Sequence, residues 1–178
     1  MLTITRLRTL LAVAAAVLVA SWGVAAYVAP HARAITLNTA ERRVLHLINA
    51  SRKRHGLHTV RLRSSLYHAA KAHSRSMIGK DYFSHYSYSG ATPAERILSY
   101  GYTQTGCTYW KVGECIGWGK DDVGTARAIF HKWMKSSGHR AIILTKAWRD
   151  VGVGRATGTF EGLSGVRMFT IDFGRRKT

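Results

Sequence analysis

The chain has 178 residues, with 27 lysines and arginines against nine acidic residues and a formal net charge of +18. This length suggests one domain that is long enough to bury a sizeable core. The sequence has no internal repeat and no low-complexity linker, which excludes a repeat array and a string of small modules.

The N-terminal segment has the pattern of an export signal. Arg6 and Arg8 precede an almost uncharged apolar run, and Ala32-Arg33-Ala34 fits a signal-peptidase site. The run is also about 20 residues long, enough to span a bilayer as a helix. Residues 1–34 are therefore predicted to be a signal peptide or an N-terminal membrane anchor. Either role places residues 35–178 outside the cytoplasm, secreted or tethered to the outer face of the cytoplasmic membrane.

The charge predicts an anionic partner. Without residues 1–34 the net charge is still +15, because that segment contributes three arginines and no acid. An exported cationic protein tends to bind anionic envelope lipid or an anionic polymer. The export signal and the lack of a basic helix interleaved with aromatic residues argue against nucleic acid as the partner. A cationic surface that only aids solubility explains the charge equally well.

The predicted elements of the first half of the chain are helical, with capping residues before them and glycines or polar residues after them. They are a helix over residues 39–54 capped by Asn38, a helix over 66–78 capped by Ser64 or Ser65, and a short helix begun by Thr92-Pro93-Ala94-Glu95. Residues 59–62 form a short extended link. His68 and His73 lie on the second helix and are predicted to be surface or packing residues.

The second half of the chain mixes strands with one longer helix. The predictions are a strand over residues 112–118, a helix over 122–135 capped by Asp122, a helical turn over 138–144, and strands over 149–156 and 166–173. The last two strands are joined by the glycine-rich residues 158–165. Helices followed by strands with an inserted helix predict an α+β fold and not a βαβ array.

Two cysteines, Cys107 and Cys115, lie eight positions apart. In an oxidising compartment this pair predicts one disulfide that closes a short loop. The spacing excludes a CxxC metal or redox motif. A catalytic thiol at Cys115, beside Glu114, is the alternative.

Three side chains can exchange protons or bind a metal at predicted element boundaries: His85, Glu114 and His139. His85 is flanked by aromatic residues, and Glu114 lies in an apolar strand, where a carboxylate is expected to be paired or to ligate something. His139 lies at the start of a helical turn. Taken singly, each has a structural alternative: packing for His85, a solvent-facing strand position for Glu114, and a helix cap for His139. If the fold brings them together, they could bind a divalent metal or move protons.

The order of three motifs resembles that of the CAP superfamily, which includes cysteine-rich secretory proteins, antigen 5 and pathogenesis-related plant proteins. The motifs are Phe83-Ser84-His85, Gly113-Glu114-Cys115-Ile116, and Gly138-His139-Arg140-Ala141-Ile142-Ile143-Leu144. The resemblance covers nearly all of residues 35–178 and is closest to the compact bacterial type, an SCP domain. It implies a three-layer α-β-α sandwich with a central antiparallel sheet.

The resemblance also implies a surface cleft lined by two histidines and usually two acids. His85, Glu114 and His139 match the family pattern. The second acid is missing where the family often has it, since residues 133–136 read Trp-Met-Lys-Ser, and Cys115 replaces the usual asparagine. That replacement is interpreted as structural, as half of the predicted disulfide.

Three functions follow as hypotheses. The first is an exported, non-catalytic ligand-binding module, monomeric, with lipid, anionic polymer or metal, preferably Zn²⁺, as ligand. The second is a metal-dependent hydrolase in which Zn²⁺ binds His85 and His139, and Glu114 is the third ligand or the base; a serine mechanism through Ser136 or Ser137 is weaker still. The third, a cationic antimicrobial protein, depends on charge alone.

Overall fold

The computed structural model describes residues 35–178, so the predicted signal or anchor over residues 1–34 lies outside the described residues. Five helices are described: α1 (Thr39–Arg54), α2 (Ser64–Gly79), α3 (Pro93–Ser99), α4 (Ala126–Lys135) and α5 (Ser137–Ile143). The strands are β1 (Arg61–Leu62), β2 (Tyr109–Gly119), β3 (Asp150–Phe160) and β4 (Leu163–Lys177). Within the described part of the chain, no helix is both long and apolar enough to cross a membrane.

The four strands form one sheet in the order β1-β3-β4-β2. The pairs β3–β4 and β2–β4 are antiparallel, whereas β1 is parallel to β3. The predicted antiparallel sheet is therefore confirmed for its three long strands, and the extended link of residues 59–62 adds a two-residue parallel edge. At the other edge, β2 pairs with β4 on one side only.

The connection between β3 and β4 is a tight hairpin, where the sequence predicted a glycine-rich loop. Both strands extend into the region of residues 158–165, and Phe160 pairs with Leu163. The two residues between them, Glu161 and Gly162, have φ angles of 49° and 73°. A two-residue hairpin turn with positive φ at both positions matches the twist of the strands, and one glycine is enough to allow it.

One face of the sheet is covered by α2 at very close range. A Cβ atom on Gly152 would lie 2.0 Å from the backbone carbon of Leu66, and one on Gly154 would lie 2.3 Å from that of Ala70. These two glycines point to the same face because side chains alternate along a strand. The α2 backbone thus rests directly on β3, where no larger residue fits.

The opposite face of the sheet carries the main hydrophobic core. Val151 and Val153, which alternate with the glycines, pack there with buried residues of α1 and α4 such as Ile48 and Trp133. Ile143 of α5 belongs to the same cluster. With α2 and α3 on one face and α1, α4 and α5 on the other, the predicted α-β-α sandwich is confirmed.

Two of the predicted capping boxes are present. Asn38 with Glu41 begins α1, and Thr92 with Glu95 begins α3, each with both reciprocal hydrogen bonds. The other two caps were predicted wrongly. Helix α2 starts two residues early with no side-chain cap, and Asp122 lies in a separate 3₁₀ turn, so that Thr125 caps α4.

The predicted disulfide is wrong for this structure, in which Cys107 and Cys115 are both free. Strand β2 begins at Tyr109, earlier than predicted, so the chain between the two cysteines is extended. At about 3.3 Å per residue, the six steps from Tyr109 to Cys115 alone span about 20 Å. A disulfide needs Cα atoms within about 7 Å of each other.

Candidate functional site

The site is built around Glu114, which β2 holds in the interior. Glu114 lies directly opposite Asp172 of β4, and its side chain is 2% exposed. A carboxylate at such a position needs charged or hydrogen-bonding partners to offset the loss of water. Both of its oxygens have one.

Glu114 is held between a histidine and an arginine. His85 Nδ1 lies 2.7 Å from one carboxylate oxygen, and Arg96 of α3 donates from Nη2 to the other. Arg96 also donates from Nη1 to the carbonyl oxygen of His85 at 3.1 Å and to Ser87 Oγ at 2.9 Å. The same guanidinium therefore fixes the carboxylate and the loop that carries His85.

His85 is half exposed, with 48% of its side chain accessible. Since Nδ1 is directed at Glu114, the neutral imidazole that donates from Nδ1 leaves the Nε2 lone pair for a ligand or metal. A carboxylate behind the ring fixes its tautomer and orientation.

His139 reaches the same cleft from the other helical layer. It lies in the first turn of α5, and its Nδ1 is 2.9 Å from Ser136 Oγ. Burial first, and then the nearby His85, lower the pKa of His139, which favours the neutral, ligand-binding form. Together with Phe83 and Ile116, the two histidines line a cleft of about 360 Å³.

The position of α5 is fixed by Arg52, a fully buried arginine of α1. Its guanidinium donates to the carbonyl oxygens of His58, Ile143, Thr145 and Trp148 at 2.7 to 3.5 Å. Three of these acceptors lie at or just after the C-terminal end of α5, where carbonyl groups lack helical partners. Arg52 thereby anchors the helix that presents His139.

Two further titratable groups lie behind the cleft. His73 of α2 is buried, with Nε2 2.9 Å from the Ser84 carbonyl oxygen and Nδ1 without a partner in the described structure. Burial is the main cause that lowers the pKa of His73 to about 4. Burial, and then the Glu114 carboxylate, raise the pKa of Asp172 well above its usual range.

A larger apolar cavity of about 550 Å³ adjoins the cleft. The two share three residues: Phe83, Ile116 and His139. Trp133 closes part of the cavity wall and donates from Nε1 to the Ile116 carbonyl oxygen at 2.8 Å. The histidine cleft therefore leads into an apolar chamber between the end of β2 and α4.

The three residues predicted from the sequence thus lie together, with His85 in contact with Glu114 and His139 on the same cleft. Sequence reasoning missed Arg96 and Asp172 as parts of the site. Asp172 has a visible signal, a lone acid in the apolar run of residues 168–173. It supplies a second acid, though on β4 and behind Glu114, not near residues 133–136.

The other predicted roles can be compared with the geometry in the same way. His73 is a packing histidine, as predicted. Cys115 is buried, and burial raises the pKa of its thiol, which does not favour a nucleophile. Within residues 35–178, no group of three His, Cys, Asp or Glu side chains is placed to hold a metal ion.

The family model of CAP, the cysteine-rich secretory protein family, matches residues 45–172, most of the chain. This chain belongs to the CAP family. The model covers the cleft residues His85, Glu114 and His139 together with Arg96 and Asp172, so the whole candidate site lies within the family domain.

Two curated relatives of this CAP protein come from Bacillus subtilis. The uncharacterised protein YkwD is 32% identical over 119 residues, which cover 67% of this chain and 43% of YkwD. The uncharacterised membrane protein YlbC is 30% identical over 116 residues, which cover 65% of this chain and 31% of YlbC. The chain thus spans less than half the length of each of these relatives.

Solved structures with the same fold include two bacterial proteins. An outer surface protein of Borrelia burgdorferi superimposes with a TM-score of 0.66 at 20% identity, covering 80% of this chain and 97% of that one. An extracellular protein of Bacillus anthracis that contains an SCP domain superimposes with a TM-score of 0.60 at 25% identity, covering 75% of this chain and 39% of that one. These likenesses agree with the three-layer fold described above.

Proposed function

We propose that this CAP protein is exported and acts at the cell envelope as a non-catalytic binding module for an amphipathic lipid. The observation that carries the proposal is the continuity between the apolar cavity and the histidine cleft through Phe83, Ile116 and His139. An acyl chain would occupy the cavity, and a polar head group would lie at the imidazoles.

The cavity has the size and lining of a ligand site. Pockets for small molecules commonly measure about 300–1,000 Å³ and are mostly apolar with a few polar groups. This one is about 550 Å³, and its polar lining includes the side chains of Lys120, Lys132, Ser136 and His139. Two lysines beside an apolar chamber favour a ligand with an anionic head.

The rim of the cavity supports contact with a lipid surface. Phe83, Val123 and Leu163 line the cavity and are 44%, 58% and 43% exposed. Exposed large apolar side chains gathered at the mouth of a cavity are typical of an interaction site. Export is supported by the predicted leader over residues 1–34 and by the extracellular and outer surface proteins that share the fold.

The experiment is a binding titration of the full chain, in non-ionic detergent, with a fluorescent fatty acid. We expect Lys132→Glu to weaken binding, because it reverses a charge on the cavity lining. Lys135→Glu is the matched control, since Lys135 lies on the same helix, is exposed and does not line the cavity. Binding that both variants weaken equally, or no binding at all, would refute the lipid proposal.

A metal ion is a second candidate ligand, supported by the two imidazoles. Each donates or accepts through Nδ1 within the protein, and Nε2 of neither His85 nor His139 makes a hydrogen bond in the described residues. Zn²⁺ bound there would have two protein ligands, with Glu114 behind His85 as its orienting partner. Both Glu114 oxygens are already held, so the arrangement supports binding better than the three-ligand hydrolase site.

Calorimetric titration of Zn²⁺ into the metal-free full chain tests this candidate. We expect one-to-one binding that is lost in His85→Ala and in His139→Ala. His131→Ala is the control, because His131 is an exposed histidine of α4 outside the cleft. Zn²⁺ affinity that is unchanged in both cleft variants would exclude this site.

A further inference from the structure

A second cleft lies at the other end of the sheet and is lined by arginines. It measures about 270 Å³, and its only acidic side chain is Asp150. We call it the arginine cleft, after its five arginines: Arg61, Arg63, Arg149, Arg175 and Arg176. The Trp110–Arg176 pair marks this end of the sheet and the Trp118–Met168 pair the cavity end, eight residues and about 26 Å away.

Strand pairing brings these arginines together from three places in the chain. Arg61 of β1 lies opposite Asp150 at the start of β3, and Asp150 lies opposite Gly174 of β4. The other four arginines lie close to these positions in the sequence: Arg63 is two residues after Arg61, Arg149 precedes Asp150, and Arg175 and Arg176 follow Gly174. The β1–β3 pairing missed by the sequence analysis is what closes the cleft.

Three of the five guanidinium groups are already held in place. Arg149 Nη1 donates to the carbonyl oxygens of residues 146–148 at 2.8 to 3.4 Å. Arg176 lies over the Tyr102 ring, 5.7 Å from its centroid, and donates from Nε to Cys107 Sγ at 3.3 Å. Arg63 pairs with Asp150 at 3.4 Å. Side chains fixed in advance lose less conformational entropy when a ligand binds.

The charge of the cleft is largely uncompensated. Asp150 also accepts a hydrogen bond from the Tyr102 hydroxyl at 2.8 Å, so its two oxygens are both engaged. Arg61 and Arg175 have no side-chain hydrogen bond and no ion pair to an acid within residues 35–178. Five arginines share this cleft with one acidic side chain and with Thr178, the last residue of the sequence, so the lining keeps an excess of positive charge that an anion would neutralise.

We propose that the arginine cleft binds phosphate groups carried by a polyanion, such as an oligophosphate or a phosphodiester. Planar guanidinium groups match phosphate oxygens in a two-point geometry that lysine cannot reproduce. The cleft has room for one or two phosphate groups and lacks the apolar wall that an acyl chain would need. The site shares no lining residue with the lipid cavity, so it stands or falls independently of the proposed lipid function.

The test is a calorimetric titration of the full chain with tripolyphosphate, repeated with glycerophosphoglycerol as a soluble phosphodiester. The key variant is Arg61→Gln/Arg175→Gln, because neither side chain has a partner whose loss would unsettle the fold. Arg75→Gln/Arg127→Gln is the matched control: both arginines are exposed, lie outside the arginine cleft, and remove the same charge.

We expect the cleft variant to weaken tripolyphosphate binding about tenfold or more and to reduce the slope of affinity against salt by about two, with little change in the control. Arg61→Lys/Arg175→Lys should also weaken binding, because lysine keeps the positive charge but cannot donate two parallel hydrogen bonds to one phosphate group. Binding of tripolyphosphate alone assigns the site to a polyphosphate chain, and parallel binding of glycerophosphoglycerol assigns it to a phosphodiester. Equal losses in the cleft variant and the control, or no binding of either probe, would overturn the proposal.

Discussion

Glu114 and Asp172 face each other across β2 and β4, and only Glu114 has hydrogen-bond partners in the described structure. Arg96 and His85 hold Glu114, whereas Asp172 has a raised pKa and keeps its proton to higher pH. This division lets two carboxyl groups share a buried position, because only one of them carries a charge.

Asp172→Asn should therefore stabilise the protein near neutral pH. A raised folded-state pKa means that the native state holds the proton where the unfolded state, with a pKa near 3.9, releases it. The contribution of Asp172 to stability is thus greatest at low pH and is lost as pH rises through the folded-state pKa. Urea unfolding at several pH values should show that the free energy of unfolding declines less with rising pH in Asp172→Asn than in the wild type. The contrasting variant is Asp150→Asn, which should destabilise, because Asp150 pairs with Arg63 and Tyr102; the same effect from both would contradict this account.

His73 should produce the opposite slope. Its folded-state pKa is lowered to about 4, so the unfolded state takes up a proton below about pH 6.5 and the native state does not. Stability should fall as pH drops from about 6.5 towards 4, by up to about 3 kcal/mol. His73→Gln should flatten this part of the curve, whereas exposed His131→Gln should leave it unchanged. An unaltered acid slope in His73→Gln would show that other groups cause it.

Removing one partner of the Arg96–Glu114 pair should be costly. Glu114→Gln leaves a buried guanidinium without its charge partner, and such losses are typically about 3–5 kcal/mol. Arg96→Met should cost a similar amount, and the double variant should cost clearly less than the sum. Equilibrium unfolding of the four proteins gives the coupling energy directly. Additive effects would mean that the two residues act independently.

Arg52→Met should destabilise by about 3 kcal/mol or more, because it leaves the buried Ile143 carbonyl oxygen without a donor and removes the bonds from Arg52 to the Thr145 and Trp148 carbonyls. The neighbouring Lys53→Met is the control, since Lys53 is exposed on the same helix. Because α5 carries His139, the Arg52 variant should also weaken any Zn²⁺ binding, measured by calorimetry. Equal stability of the two variants would contradict the anchoring role.

The two cysteines should react as separate thiols. Mass spectrometry of the native protein after alkylation should show Cys107 modified quickly and Cys115 only after unfolding, because Cys115 is buried and its thiol pKa is raised. A reducing agent should leave the melting temperature unchanged. A melting temperature that drops on reduction would contradict this account and support a disulfide between Cys107 and Cys115.

Capping and alternation made most of the fold predictable from the sequence. The boxes at Asn38 and Thr92 and the glycines that end helices are local signals, and the structure follows them. The missed elements are those set by pairing partners. Strand β1 has only two residues and exists because β3 lies beside it, and β2 extends past the predicted residues 112–118 because β4 is long enough to pair with it.

The sequence predicted the three main residues of the candidate site but not the residues that surround Glu114. His85, Glu114 and His139 follow from motif order, whereas Arg96 and Asp172 reach Glu114 through register and helix packing. The disulfide prediction was wrong for the same reason: sequence separation is a poor guide to distance once the intervening residues join a strand. Two cysteines that are close in sequence can close a loop only where the residues between them do not pair with another strand.

The two cleft imidazoles come from opposite sides of the sheet, His85 from the loop after α2 and His139 from α5 in the other layer. The gap between their outer nitrogens therefore measures how the two layers are aligned with each other. A core substitution that shifts either layer by a fraction of an ångström would change the distance between these two nitrogens without altering either histidine. We therefore expect ligand affinity in the cleft to change with substitutions in the hydrophobic core, even where these lie far from both histidines.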